Sequence, residues 1–234
     1  MAFPTTSVLD DFNRANENPL SSAGSWGTSI FDNFGGAGDS FKLVSNAIQD
    51  DSAADGAGSG QAFWDGATYG PAVEVYVTFT TIWGNASSDF WFWLQGSGED
   101  NASNANLDGY IAYAAYSAGS WVYTLSRVDN GVSTEIRAAQ TGPTLANGDK
   151  LGMECSASGV FTWYHKPAAG SWGAASGLST TTDTTYTSGH IGLSKGYADT
   201  TSVLDDFGGG NVVGGGGSTA VPVFAHHLRQ QGIA

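Results

Sequence analysis

Acidic side chains outnumber basic ones by 22 to 8 in this chain of 234 residues, so paired-carboxylate chemistry is the first to test. Two acidic groups pointing into one cleft can divide the roles of acid and of base or nucleophile, and alternation along a strand places such a pair at i and i+2. Glu74 is followed by VYVTFTT, Glu135 by IRAAQ and Glu154 by CSASG, so none brings a second carboxylate two residues on. Serine activation by histidine fares no better. His165 sits in TWYHK, His190 opens HIGLSK, and His226 and His227 lie near the end, all four reading as structural or solvated. Cys155, the single cysteine, stands in KLGMECSA at period two with Leu151 and Met153, which describes a packed, inward-facing thiol.

The aromatic residues offer a different chemistry. In SDFWFWLQ (88–95), Trp91 and Trp93 alternate with Phe90, Phe92 and Leu94, so both sides of one strand are apolar although a two-layer core requires only one. With the phenylalanines inward, Trp91 and Trp93 stand on an outer sheet surface beside Tyr113 of GYIAYAAY. Flat rings flanked by amides and carboxylates are what a saccharide needs, making these three residues a candidate carbohydrate platform. The alternative is that a loop or a neighbouring subunit covers them.

Positioning these groups falls to strands. Segments rich in Val, Ile, Thr, Tyr, Phe and Trp recur between Gly/Asn/Asp/Ser clusters: AVEVYVTFTTI (72–82), SDFWFWLQ (88–95), GYIAYAAY (109–116), SWVYTLSRV (120–128), KLGMECSA (150–157), VFTWYHK (160–166) and HIGLSK (190–195). Val73, Val75, Val77 and Phe79 share one face of their segment, with Glu74, Tyr76 and Thr78 on the other. Asn130-Gly131 and Asn147-Gly148 suit positive φ, which predicts antiparallel pairing of the strands flanking each. No segment before residue 220 has helical periodicity, so the class is all-β. A formal charge of −14 repels phosphate backbones and anionic headgroups, arguing against nucleic acid and membrane partners. The opening MAFPTTSVLDDF has no basic leader, predicting an uncleaved chain made in the cytoplasm.

One octapeptide, TTSVLDDF, is written twice, at 5–12 and at 200–207. With nothing similar between, this is no solenoid. The expectation is that first and last strands lie side by side in one sheet, with equivalent pockets receiving Val, Leu and Phe from each copy.

VLDDFNRANENPLSSAGSW, FKLVSNAIQ, AFWDGATYGPAVEVYVTFTT, DGYIAYAAY, NGDKLGM, WYHKPAAGSW and GHIGLSKGYADTTSVLDDFGGG, in this order and spacing, resemble the concanavalin A-like lectin/glucanase superfamily. The form is the laminin-G-like one met in tailed-phage virion proteins and bacterial surface proteins. The resemblance spans roughly residues 7–210. It implies a two-sheet antiparallel jelly-roll sandwich with adjacent first and last strands, and little about activity. The E-x-D-x-x-E pattern of the glucanase branch is absent, so the chain is expected to be non-enzymatic. The resemblance also implies no cofactor other than Ca²⁺, for which Asn104, Asn106 and Asp108 before Gly109 are the candidate ligands, with Asp51 and Asp55 in a second loop. Both loops depart from the calcium pattern, having Ala115 and Ala62 where a glutamate is expected, and solvated turns are the alternative.

The expected division is a sandwich at 1–207, a glycine-rich linker GGGNVVGGGG at 208–217, and a C-terminal peptide at 218–234. That peptide carries Val221, Val223, Phe224, Leu228 and Ile233, too apolar for a solvent tail, and its ending HHLRQQGI resembles those of phage structural proteins. A virion decoration or fibre protein follows as the leading expectation, anchored to other virion proteins by this peptide, adhering to surface glycans or reinforcing the shell, with homo-oligomerisation open. The alternatives are a bacterial extracellular carbohydrate-binding module and, third, a glycoside hydrolase.

Overall fold

The structure, a computed structural model, describes residues 2–21, 25–27, 41–50, 61–82, 89–98, 106–195 and 202–213. Sixteen strands follow in chain order: β1 (Val8–Asp10), β2 (Trp26–Gly27), β3 (Phe41–Val44), β4 (Ala47–Asp50), β5 (Gln61–Tyr69), β6 (Val73–Thr81), β7 (Asp89–Ser97) and β8 (Asp108–Ser117), then β9 (Ser120–Asp129), β10 (Val132–Thr141), β11 (Lys150–Cys155), β12 (Val160–Lys166), β13 (Gly173–Ala174), β14 (Thr181–Thr182), β15 (Gly189–Lys195) and β16 (Val203–Asn211). A nine-stranded sheet runs β13-β12-β11-β6-β16-β4-β3, with β1 on β16 and β14 on β12; a seven-stranded sheet runs β10-β9-β8-β7-β15-β5-β2. The described residues contain no α-helix, and none therefore long and apolar enough to cross a membrane.

Period-two alternation builds the core. Val73, Val75, Val77 and Phe79 of β6 are fully buried, as are Leu151 and Met153 of β11. They meet Phe90, Phe92 and Leu94 of β7, Tyr110 and Ala112 of β8, Tyr123 of β9 and Leu193 of β15 in one cluster between the sheets. Each fully buried Val, Leu or Phe contributes about 1.5–3 kcal/mol relative to an exposed one. Cys155 belongs to this layer, and burial, then the charges of Glu154 and Asp183, push its thiol up to about 12.

The octapeptide copies do lie side by side: β1 pairs antiparallel with β16, Val8 opposite Gly208 and Asp10 opposite Phe207. Both phenylalanines pack on Trp26, Phe12 at 6.1 Å and Phe207 at 4.7 Å between ring centroids. Equivalence stops there. Leu204 is buried whereas Leu9 is only partly so, and Val8 is 40% exposed. The cause is a break in strand parity at different places, since φ is 52° at Phe12 in the first copy and 51° at Asp206 in the second. The bulge at Asp206 lets Leu204 and Phe207, three apart, both enter the core. In the first copy the inward positions are Asp10 and Phe12, and the Asp10 carboxylate accepts from Trp26 Nε1 (2.7 Å), Phe12 N (2.8 Å) and Arg14 Nη1 (2.6 Å).

Two expectations need correction. Asn130-Gly131, with φ of 49° and 76°, turns β9 into β10 as a hairpin. Asn147-Gly148 does not: β10 and β11 belong to different sheets, and the turn delivers β11 to β6, with Gly148 N donating to Phe79 O and Ile82 N to Asn147 Oδ1. Nor does the sandwich end at 207. Gly208, Gly209, Gly210 and Asn211 continue β16 opposite Tyr76, Val75, Glu74 and Val73. Of the expected linker these four are therefore sheet, and residues 214–234 lie outside the described residues.

The repeated octapeptide supplies an internal control. Asp10→Ala strands three donors in a buried setting and should cost about 2–3 kcal/mol in urea denaturation at neutral pH. Asp205→Asn should leave stability unchanged or raise it, because burial lifts the Asp205 carboxyl above its ordinary value, so its ionised form costs stability as pH rises. Equal losses at the two positions would contradict this packing. Cys155 should resist an aromatic disulfide reagent at pH 8 until the protein is unfolded by denaturant; rapid labelling of the native state would place the thiol elsewhere.

Candidate functional site

The outer face of the seven-stranded sheet carries the expected aromatic residues. Successive side chains of β7 alternate, so burying Phe90, Phe92 and Leu94 commits Trp91 and Trp93 to the opposite face. Register then sets their neighbours: Gln61, Ser194, Trp91, Tyr113 and Thr124 face one another across β5, β15, β7, β8 and β9, while Phe63, Gly192, Trp93, Ile111 and Ser126 form the adjoining row.

The two tryptophans differ. Trp93 is 1% exposed, closed in a second apolar cluster with Phe63, Leu107 and Val128, and its Nε1 donates to Gln61 Oε1 at 3.1 Å. Its expected role as sugar platform is corrected: Leu107, just before β8, and Val128 bury it from above. Trp91 remains half-buried, tilted 43° against Tyr113 with centroids 5.6 Å apart. The Tyr113 hydroxyl donates to Asp89 Oδ2 at 2.8 Å, and burial, then the Asp89 charge, raise its pKa, keeping it a donor. Trp91 Nε1 has no hydrogen-bond acceptor among the described residues. What remains of the platform is thus a two-ring step, Trp91 and Tyr113, with Asp89, Ser194 and Gln61 in adjacent positions. It offers a stacking face, while Gln61 and Ser194 are themselves buried beneath it.

Of the candidate calcium ligands, Asn106 and Asp108 lie among the described residues. Asn104, Asp51 and Asp55 lie outside the described residues, and Asn106 is exposed. Asp108 Oδ1 accepts from Asn130 N at 2.7 Å and from the Tyr186 hydroxyl at 3.0 Å. That hydroxyl also lies 2.7 Å from Asp129 Oδ1, and Arg127 bridges Asp129 (2.8 Å) and Asp183 (2.9 Å). Arg127, with Tyr186, holds the Asp129 carboxylate below its ordinary value. Asp108 therefore closes a turn within an ion-paired network, and no group of three His, Cys, Asp or Glu side chains among the described residues is placed to hold a metal ion. As placed, the Asp108 oxygen is taken up by a turn amide and the Tyr186 hydroxyl.

His165 Nε2 lies 2.9 Å from Asp149 Oδ2, and Asp149 also accepts from Ala146 N and Ala168 N, tying two loops. His190 lies 3.7 Å from Asp65. His226, His227, Val221, Val223, Phe224, Leu228 and Ile233 lie outside the described residues. Two buried groups escaped the sequence reading. Arg137, inward-facing on β10, donates among the described residues only through Nη1, to Ser179 O, and burial lowers its pKa. Glu74 is 0% exposed on the outward face of β6, where alternation alone predicts solvent. A charged residue framed by Val73 and Val75 was the available signal.

No family model matches the chain, and no curated protein matches it in sequence. Solved structures do resemble it. The carbohydrate-binding module CBM66 from Bacillus subtilis aligns at 16% identity over 83% of this chain and 97% of that one, with a TM-score of 0.52. The exoplasmic/lumenal domain of VIP36, in a form bound to Ca²⁺ and Man3GlcNAc, aligns at 15% identity over 81% and 83%, with a TM-score of 0.54. The carbohydrate recognition domain of Emp46p, in a potassium-bound form, aligns at 11% over 91% and 100%, with a TM-score of 0.53. At these identities the likeness is one of fold, and the chain is an all-β sandwich of the concanavalin A-like jelly-roll type.

Proposed function

We propose that this protein binds glycans without turning them over, using Trp91 and Tyr113 as its sugar-stacking step. The observation that carries this reading is the part-exposed Trp91–Tyr113 ring pair on the outer face of the seven-stranded sheet, beside Asp89. An indole face stacks on the C–H side of a pyranose, and a phenol hydroxyl or carboxylate at the edge of the rings meets sugar hydroxyls. The fold, shared with solved carbohydrate-binding domains, supports the same class. Binding without hydrolysis is favoured because Asp89 is engaged by Tyr113 and the carboxylate that continues the adjoining row, Glu135 opposite Ser126, stands three strands away on β10.

The setting we propose is the surface of a tailed-phage particle, with the protein held by its C-terminal peptide. Its support is compositional: GGGG at 214–217, then Val221, Val223, Phe224, Leu228 and Ile233 in an ending that resembles those of phage structural proteins.

Retention on an array of bacterial polysaccharides tests the first proposal. Wild-type protein should bind at least one glycan, and Trp91→Ala should weaken that binding at least tenfold, about 1.4 kcal/mol. Silence across the array, or unchanged binding by the variant, would refute it, as would release of reducing ends. For the second proposal, particles assembled with a chain lacking residues 218–234 should not carry the protein; normal incorporation would remove the anchor.

A further inference from the structure

The opposite side of the molecule holds a site that is already filled. On the outer face of the nine-stranded sheet, the Phe3 ring stacks on Tyr164 at 4.0 Å and 2° between planes, and Trp172 meets its edge at 4.9 Å. Tyr76 closes the slot, 6.2 Å from Phe3 and 6.0 Å from Trp172. Gly152 of β11 forms its floor, where any Cβ would collide with the Phe3 ring. Phe3 is 6% exposed yet lies outside the core between the sheets.

Beside the slot stand two carboxylates in register, Glu74 on β6 and Glu154 on β11. Glu74 Oε1 accepts from Thr5 N, Thr6 N and the Thr6 hydroxyl, each at 2.6 Å, and from the Thr5 hydroxyl at 3.3 Å. Its Oε2, equally buried, has no partner among the described residues. Tyr76 donates its hydroxyl to Thr6 O at 3.1 Å, and Val213 N donates to Thr5 Oγ1 at 3.0 Å. Burial, then the charge of Glu74, raises the Glu154 carboxyl above its ordinary value, while a hydrogen bond with Tyr164 works against that rise.

A ring lying flat on an aromatic face, followed by two adjacent hydroxyls on a carboxylate, is the set of contacts a hexose makes with a binding protein. We propose that Tyr164, Trp172, Glu74 and Glu154 form a second, latent saccharide site, and that residues 3–6 of the chain fill it as a tethered mimic of the sugar. The two carboxylates and the charge of −14 select neutral hexoses over acidic ones. The unused Oε2 is the acceptor that a vicinal diol would fill and the segment does not. Tethering gives the segment an effective concentration on the order of millimolar, so the site stays closed to weak ligands while the segment is seated. This site shares no residue with the Trp91–Tyr113 step and does not depend on it.

Two proteins test the proposal, one lacking residues 1–6 and one full-length with Phe3→Ser, both carrying Trp91→Ala to silence the other face. Methyl α-glucopyranoside, methyl α-mannopyranoside and methyl β-galactopyranoside are titrated against each, alongside a synthetic peptide of residues 2–7. The readout is the Trp172 indole and Tyr164 ring resonances by NMR. The opened proteins should show saturable millimolar binding of at least one glycoside, at least tenfold tighter than the Trp91→Ala protein with its segment intact, and Tyr164→Ala should abolish it. If the truncated chain fails to fold, Phe3→Ser carries the test alone. Folded, opened proteins that bind no glycoside overturn the proposal. Binding of the peptide alone does so too, and would mark the slot as a peptide groove.

Discussion

Both ends of the described sandwich converge on one indole. Trp26 receives Phe12 from the first strand region and Phe207 from the last, and its Nε1 is fixed by the buried Asp10 carboxylate. A carboxylate 7% exposed persists there only because three donors, one of them the Arg14 guanidinium, converge on it. With that seam closed, β16 lies between β6 on one side and β1 and β4 on the other, and the nine-stranded sheet is continuous. The Phe3 slot on the outer face of this sheet inherits its position from these ladders, and the Trp91–Tyr113 step from those of β15, β7 and β8 in the other sheet.

Much of this was legible in the sequence, for an identifiable reason. Where one face of a strand is buried, apolar residues recur at every second position, and the Val73–Phe79 alternation therefore announced both a strand and its inner side. The adjacency of the two octapeptides was legible because equal sequences at opposite ends suggested a shared sheet. Other features depend on what arrives from elsewhere in the chain. Trp91 and Trp93 are chemically identical and two apart, yet Trp93 is enclosed with Leu107 and Val128 while Trp91 packs, partly buried, at the edge of the same cluster. Asn147-Gly148 states that the chain turns but not which sheet receives it. Single left-handed residues at Phe12 and Asp206 shift the parity of two equal sequences differently, and nothing in TTSVLDDF marks which residue will take that conformation.

Charge placement sorts the acidic residues into kinds. Asp108, Asp129 and Asp183 share Arg127, Tyr186 and a turn amide and so hold loops at one end of β8 and β9. Asp149 gathers two backbone amides and His165. Glu74 gathers the N-terminal segment. In each case a carboxylate substitutes for regular backbone pairing where the chain is irregular.

Gly208 adds a last consequence. It stands opposite Tyr76 in the ladder, where even one methyl group would press into the phenol ring. That phenol walls the Phe3 slot and holds Thr6 through its hydroxyl. The beginning and end of the sequence are thus latched twice, once through an indole in the interior and once through a phenol on the exterior. The spacing of the outer latch is set by hydrogen atoms alone, which makes the glycine run a mechanical gauge for how closely the chain's first residues seat.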